Sequence, residues 1–212
     1  MMRLCFKYLI YLVVLSSSFS TRADAYDDFF IAVVRDDAGS VKRLLAKGMD
    51  PNSRDPKGVP ALSLALRRES PRVFEALLAH PAIDVNALNA AGESALMLAA
   101  LAGDVEACRR LLARGANLEQ PGWTAMHYAA SSTSTEVVRL LLAKGASVDP
   151  QAPNGTTPLM LAAQYAPEAT IDLLLERGAD PHMRNRRGLQ PIDFAELGGR
   201  DFLVERFQRL PR

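Results

Sequence analysis

The sequence predicts an all-α chain: a solenoid of stacked helix-turn-helix units joined by short β-hairpin-like loops. Two observations carry that expectation. Gly58, Gly92, Gly122, Gly155 and Gly188 recur at intervals of 34, 30, 33 and 33 residues, and a period of this length marks units that bury a shared core by stacking. Each unit also carries one alanine at the same place: Ala32, Ala65, Ala99, Ala129, Ala162 and Ala195. Only a small residue recurs there, which implies two helices approaching too closely for a longer side chain.

The chain has 212 residues, 49% of them hydrophobic and 23% charged, enough apolar material for one folded domain. Residues 1–25 are expected to stand apart from that domain. Arg3 and Lys7 precede an apolar run from Tyr8 to Leu15, then a serine-rich stretch, then Ala23-Asp24-Ala25. That order is a secretory signal peptide, with small residues where a peptidase cuts, so cleavage is expected after Ala25. Arg22 and Asp24 make the flank more polar than usual. The uncharged stretch ends at Thr21 and is shorter than the roughly 20 apolar residues a membrane span needs. Export to the periplasm is therefore expected, with no stable membrane insertion after cleavage; the alternatives are a secreted chain or one tethered by an uncleaved N-terminal segment.

The units follow in order. Residues 27–57 form an N-terminal capping repeat, which lacks an opening Thr-Pro turn and carries Asp27, Asp28, Arg35, Asp36 and Asp37 for a polar outer side. Residues 58–91 open on Pro60-Ala61-Leu62, and His80-Pro81-Ala82-Ile83-Asp84 replaces the glycine that ends the other second helices. Residues 92–121 open on Ser94-Ala95-Leu96 and are shortened within Ala116–Pro121, so the hairpin finger there is expected to be stunted. Residues 122–154 and 155–187 open on Thr124-Ala125-Met126 and Thr157-Pro158-Leu159. Residues 188–212 form a C-terminal capping half-repeat, from Gln190-Pro191-Ile192 to the charged Arg200, Asp201, Glu205, Arg206 and Arg209.

Within each unit the first helix should turn Phe29, Leu62, Leu96, Met126, Leu159 or Ile192 into the shared interior. The second helix shows an amphipathic spacing, with Leu44-Leu45, Leu77-Leu78, Leu111-Leu112, Leu141-Leu142 and Leu174-Leu175 following Val41, Phe74, Cys108, Val138 and Ile171. Ser94, Thr124 and Thr157 can cap first helices with a hydroxyl. Pro158 and Pro191 fit an opening turn. Gly48, Gly115, Gly145 and Gly178 can stop second helices in a left-handed backbone.

Thr124-Ala125-Met126-His127-Tyr128-Ala129 and Thr157-Pro158-Leu159-Met160-Leu161-Ala162 resemble the Thr-Pro-Leu-His-x-Ala signature of the ankyrin-repeat family, and the resemblance extends from residue 27 to the end. It implies a protein-binding role through a concave face made of finger tips and the exposed side of the first helices. Carried over by position, that face includes Lys57, Val59, Arg67 and Arg68; Glu93 and Leu101; Gln120, Trp123 and Ser131; Asn154, Thr156 and Tyr165; and Arg186, Arg187 and Leu189. Its centre is apolar and its ends are basic. Arg67, Arg68, Leu101, Trp123, Tyr165, Arg186 and Arg187 are the leading candidates. Trp123 comes first, because aromatic residues dominate interface energies, although the same ring could instead cover the stunted finger.

Catalytic chemistry finds little footing. His80, His127 and His182 sit at three different repeat positions and lack the spacing of a metal site or a catalytic dyad. His127 occupies the family's histidine column, where it is expected to hydrogen-bond the turn. With Cys5 removed in the signal, Cys108 is left alone in a column of buried hydrophobes and should be a slow-reacting interior thiol. No glycine-rich phosphate loop is present. The net charge of +1 falls close to zero after cleavage, which argues against nucleic acid as a partner. The sequence thus leads to a non-catalytic, monomeric binding module without cofactor or metal. An inhibitor or immunity-type protein for an exported toxin or enzyme is the alternative, and an accessory protein for redox or stress protection is a further one.

Overall fold

A computed structural model describes residues 24–210. The candidate signal lies outside the described residues except for Asp24 and Ala25, which open helix α1 over residues 24–34. There follow α2 (Ala38–Ala46), α3 (Ala61–Arg67), α4 (Pro71–Leu78), α5 (Ala95–Leu101), α6 (Val105–Ala113), α7 (Ala125–Ala130), α8 (Thr135–Ala143), α9 (Pro158–Tyr165), α10 (Glu168–Glu176), α11 (Pro191–Leu197) and α12 (Asp201–Gln208). Among the described residues the only β feature is an isolated bridge between Arg54 and Pro60. None of their helices is long and apolar enough to cross a membrane. The chain divides into two compact units, the first ending at Asp84 and the second beginning at Val85.

In the first unit α4 packs against α2 and α3, and Phe29, Val33, Val41, Val73 and Leu77 are fully buried. The N-terminus of α4 leaves backbone N–H groups without helical partners, and its own cap residue, Ser70, makes no side-chain bond to them. Asp36 supplies the acceptor from the preceding repeat. Held at a φ of 54°, it takes the Val73 N–H at 2.8 Å and the Arg72 Nε at 3.0 Å. These donors, favouring the charged carboxylate, lower its pKa against the opposing effect of desolvation. Asp36 is therefore a staple between repeats, whereas the sequence suggested only a polar outer residue. The altered exit of α4 also holds together: Asn52 donates to the Ala82 carbonyl at 2.9 Å and accepts the Asp84 N–H at 2.8 Å.

In the second unit the first helices α5, α7, α9 and α11 pack side by side, and α6, α8, α10 and α12 back them. The alanine column is shut: Ala99, Ala129, Ala162 and Ala195 have no exposed surface. Leu96, Met126 and Leu159 are at most 1% exposed, and burying each such side chain stabilises by about 1.5–3 kcal/mol. Ile192, in the same column, stays half-buried, because α11 is the last of the row. Ser94 and Thr157 cap α5 and α9 as expected, accepting the Met97 N–H at 3.3 Å and the Met160 N–H at 3.4 Å. Gly115, Gly145 and Gly178 take φ values of 85°, 93° and 87° where the second helices stop.

Two charges of the C-terminal cap engage the preceding repeat. Arg200 donates to the carbonyls of Ala162 and Ala163 at 3.1 and 3.2 Å, satisfying acceptors near the end of α9. Arg206 forms an ion pair with Asp172 of α10.

Candidate protein-binding face

The fingers of the second unit are built on a repeated pair of bonds. At the first, the Asn89 N–H reaches the Glu93 carbonyl and the Gly92 N–H the Asn89 carbonyl, both at 3.0 Å. Ala152 with Gly155 and Thr156, and Asn185 with Gly188 and Leu189, repeat the pattern. The stretch Ala116–Pro121 makes neither bond, so the finger there is stunted, as its missing residues predict. It is held from outside instead. Gln120 Nε2 donates to the Gly92 carbonyl at 3.2 Å, the Asn117 N–H to Asn86 Oδ1 at 2.8 Å, and the Ser147 N–H to Glu119 Oε1 at 2.8 Å.

Bonds between neighbouring units of the row join like ends to like ends. The Arg186 N–H donates to the Asn154 carbonyl at 2.9 Å, and His127 Nε2 to the Thr156 carbonyl at 3.0 Å. The fingers therefore line one edge, with the starts of the first helices beside them. Trp123 lies at that edge, 36% exposed, its ring edge-on to His127 at 5.2 Å between centroids. Leu101 and Tyr165 are the last residues of α5 and α9, 47% and 58% exposed. They sit at the far end of the row from Trp123, about 9 Å away along a six-residue helix such as α7. Arg186 and Arg187 are exposed on the last finger. The structure thus sets three uncharged helices, α5, α7 and α9, side by side, with an aromatic at one side and arginines on the finger that follows α9. Arg67 and Arg68, exposed at the end of α3, belong to the first unit.

Other positions carried over by register are not available. Val59 is 7% exposed and Thr156 2%, because each sits at the base of its finger, tied into it by backbone bonds to Asp55 and Ala152. Glu93 is already engaged, accepting from Asn89 Nδ2 at 2.7 Å and the Tyr128 hydroxyl at 3.0 Å. Burial, and then Glu93, push the Tyr128 phenol up to about 12. Conversely, Leu197 is 65% exposed and is missing from the sequence-based set. Its signal was present: Leu197 stands two residues after Ala195, as Leu101 stands two after Ala99. Phe202, 49% exposed beneath the Arg200 guanidinium at 5.5 Å, had no such signal.

Of the residues weighed for chemistry, His127 and Cys108 serve the interior, while His80 and His182 are part-exposed in loops. His127 is fully buried. Its Nδ1 accepts the Thr124 N–H at 3.1 Å while Nε2 faces the Thr156 carbonyl. That pair of partners requires the neutral tautomer with the proton on Nε2, and burial lowers the pKa in keeping with it. Thr124 departs from the hydroxyl cap expected of it, since its Oγ1 meets His127 Nδ1 at 3.0 Å. Cys108 is buried, and burial together with Asp104 pushes its thiol up to about 12. Among the described residues no group of three or more His, Cys, Asp or Glu is placed to hold a metal.

The family described as ankyrin repeats in three copies matches residues 29–121 and 116–185. An ankyrin repeat-containing protein of Treponema pallidum is 34% identical over 173 residues, which cover 81% of this chain and 48% of that protein. The chain thus spans about half the length of this curated relative. A structure of a predatory endopeptidase from Bdellovibrio bacteriovorus in complex with an immunity protein contains a chain that superposes with a TM-score of 0.74 at 26% identity, covering 87% of this chain and 98% of that one. An ankyrin repeat domain from Acinetobacter baumannii superposes with a TM-score of 0.72 at 27% identity, covering 85% and 95%.

Proposed function

The chain belongs to the ankyrin-repeat family, and from that premise we propose that it works outside the cytoplasm, binding a partner protein through the finger edge and first-helix ends of the 85–210 unit. Ankyrin repeats are protein-interaction modules, typically non-catalytic. The observation that carries the reading is the exposure of Leu101, Trp123 and Tyr165 on that row, since large apolar groups held in water on a packed scaffold are what a partner covers. The extracytoplasmic compartment rests on the leader-like order of residues 1–25. Affinity capture from the exported fraction with the full chain should recover a partner that Trp123→Ala and Arg187→Glu lose. Equal recovery by both variants would overturn the assigned face. N-terminal sequencing of the mature protein should begin at Tyr26; an intact N-terminus would overturn cleavage after Ala25, and recovery of the intact chain in the cytoplasmic fraction would overturn the export reading.

A second reading, an immunity-type inhibitor of an exported enzyme, is favoured by one observation, the similarity to a chain of the endopeptidase–immunity protein complex along nearly its whole length. Its test is whether the purified chain lowers the turnover of an exported peptidase from the same cells.

A further inference from the structure

In the 85–210 unit, from α5 through α10, charge is divided between the two layers of helices. α5, α7 and α9 contain no Asp, Glu, Lys or Arg. α6, α8 and α10 each carry at least two, among them the exposed Arg109, Arg139 and Glu168. A helix side that faces water ordinarily carries charge, and the second helices follow that rule. α5, α7 and α9 break it while still presenting Leu101 and Tyr165 to solvent. The carboxylate at the head of α5, Glu93, is engaged by Tyr128 and Asn89. The fingers over 89–92 and 152–155 are also uncharged, and Glu119 of the shortened finger accepts the Ser147 N–H. Beyond α9 ionic character enters with the exposed Arg186 and Arg187 of the last finger, and with Asp193 and Glu196 of α11, of which Asp193 accepts the Gln190 N–H.

From this division we propose the chemistry of the occupant: a partner-protein segment that is uncharged through its middle, carries aliphatic or aromatic side chains against Leu101 and Tyr165, and ends in an Asp or Glu against Arg186 and Arg187. The inference rests on the binding face assigned above and names what that face accepts. A charged group pressed onto α5, α7 and α9 would lose its hydration and meet no opposite charge. A carboxylate at the last finger would meet guanidinium groups, whose planar fork matches it with two parallel hydrogen bonds.

Random peptides displayed on phage and panned against the full chain test this. Enriched sequences should have uncharged, apolar-rich middles with an acidic residue at one end. Their affinity should fall about tenfold or more, equivalent to about 1.4 kcal/mol, in Arg187→Glu and in Tyr165→Lys, and should be unchanged in Arg139→Glu on the outer layer. Leu101→Lys is a second variant at an exposed position, and a thermal melt checks that each variant folds. Peptides that lose affinity in Tyr165→Lys and Leu101→Lys but are basic or charged throughout would overturn the proposed chemistry and leave the face standing. Peptides that bind both of those variants undiminished and lose affinity in Arg139→Glu would overturn the face as well.

Discussion

Asp149 reaches across to the next repeat and accepts the Asp180 N–H at 2.8 Å through Oδ2, while its Oδ1 is buried without a partner. At the same register Asn52 and Asn86 make two bonds each: they accept the N–H of Asp84 and Asn117, and they donate to the carbonyls two residues earlier, those of Ala82 and Gly115. An ionised carboxylate can accept but cannot donate, so the Asp149 joint lacks half of the contact. Asp149→Asn should restore a donor whose partner, by register, is the Gly178 carbonyl. The expected gain is about 1 kcal/mol at neutral pH.

The pH dependence of that gain has a definite sign. Desolvation, and then Asp180, raise the Asp149 pKa above 3.8 despite the Asp180 N–H. A raised folded-state pKa gives a contribution that is fully present below 3.8 and lost as pH rises through the folded value. The advantage of Asp149→Asn over the parent should therefore be largest at neutral pH and shrink on acidification, as measured by urea unfolding of the two proteins side by side. A gap that widens toward acid would contradict the assignment.

Cys108 offers a kinetic check on the interior. Its column neighbours Val138 and Ile171 are fully buried, as it is, and a thiol pushed up to about 12 by burial carries almost no thiolate at pH 7. Labelling of the folded protein by a thiol reagent should be slow, governed by opening of the fold, and should accelerate sharply through the urea transition. Prompt stoichiometric labelling in native buffer would instead favour the redox-accessory reading.

The columns of the solenoid were legible because each interior demand is stated several times over. One alanine proves little, but Ala99, Ala129, Ala162 and Ala195 at one register define a close approach. What the sequence hid are contacts in which one repeat completes another. Asp36 serving the start of α4, and Arg200 the end of α9, involve residues 37 and 38 positions apart, with no local pattern to announce them. The candidate face was half legible for a related reason. Register identifies which positions face the fingers, yet whether Val59 or Thr156 is exposed depends on how each finger folds over its own base. Leu101, Tyr165 and Leu197 stand at helix ends, where no finger covers them.

Finger packing predicts an asymmetry between two glycines of similar backbone. Gly145 and Gly155 have φ values of 93° and 77°, but a Cβ on Gly145 would meet nothing within 4 Å, whereas one on Gly155 would lie 3.1 Å from the Arg186 nitrogen and from Asn185 Cα. Gly145→Ala should cost only the left-handed backbone penalty, about 1–2 kcal/mol. Gly155→Ala adds a clash with backbone that cannot rotate away, and should cost about 1–3 kcal/mol more. Because that clash is with the finger carrying Arg186 and Arg187, Gly155→Ala should also weaken partner capture at temperatures where both variants remain folded.

Trp123 separates binding from packing most directly. It is the only tryptophan, so intrinsic fluorescence reports on this one place. Its ring touches His127 edge-on and is 36% exposed, and His127 keeps its two backbone partners without it. Trp123→Ala should therefore cost about 1 kcal/mol for the lost aromatic pair, plus about 1–2 kcal/mol for the part of the ring already out of water. As an interface anchor the same ring is worth about 2 kcal/mol or more of binding, roughly thirtyfold in Kd. Titrating the captured partner into the parent chain should move the emission to shorter wavelength as the ring leaves water, and Trp123→Ala should weaken binding by that factor. If the stunted finger merely uses the ring as cover, the variant still loses that stability, but its affinity is unchanged and the partner leaves the emission where it was. The two roles differ in affinity and emission, so these measured together assign the residue to one role.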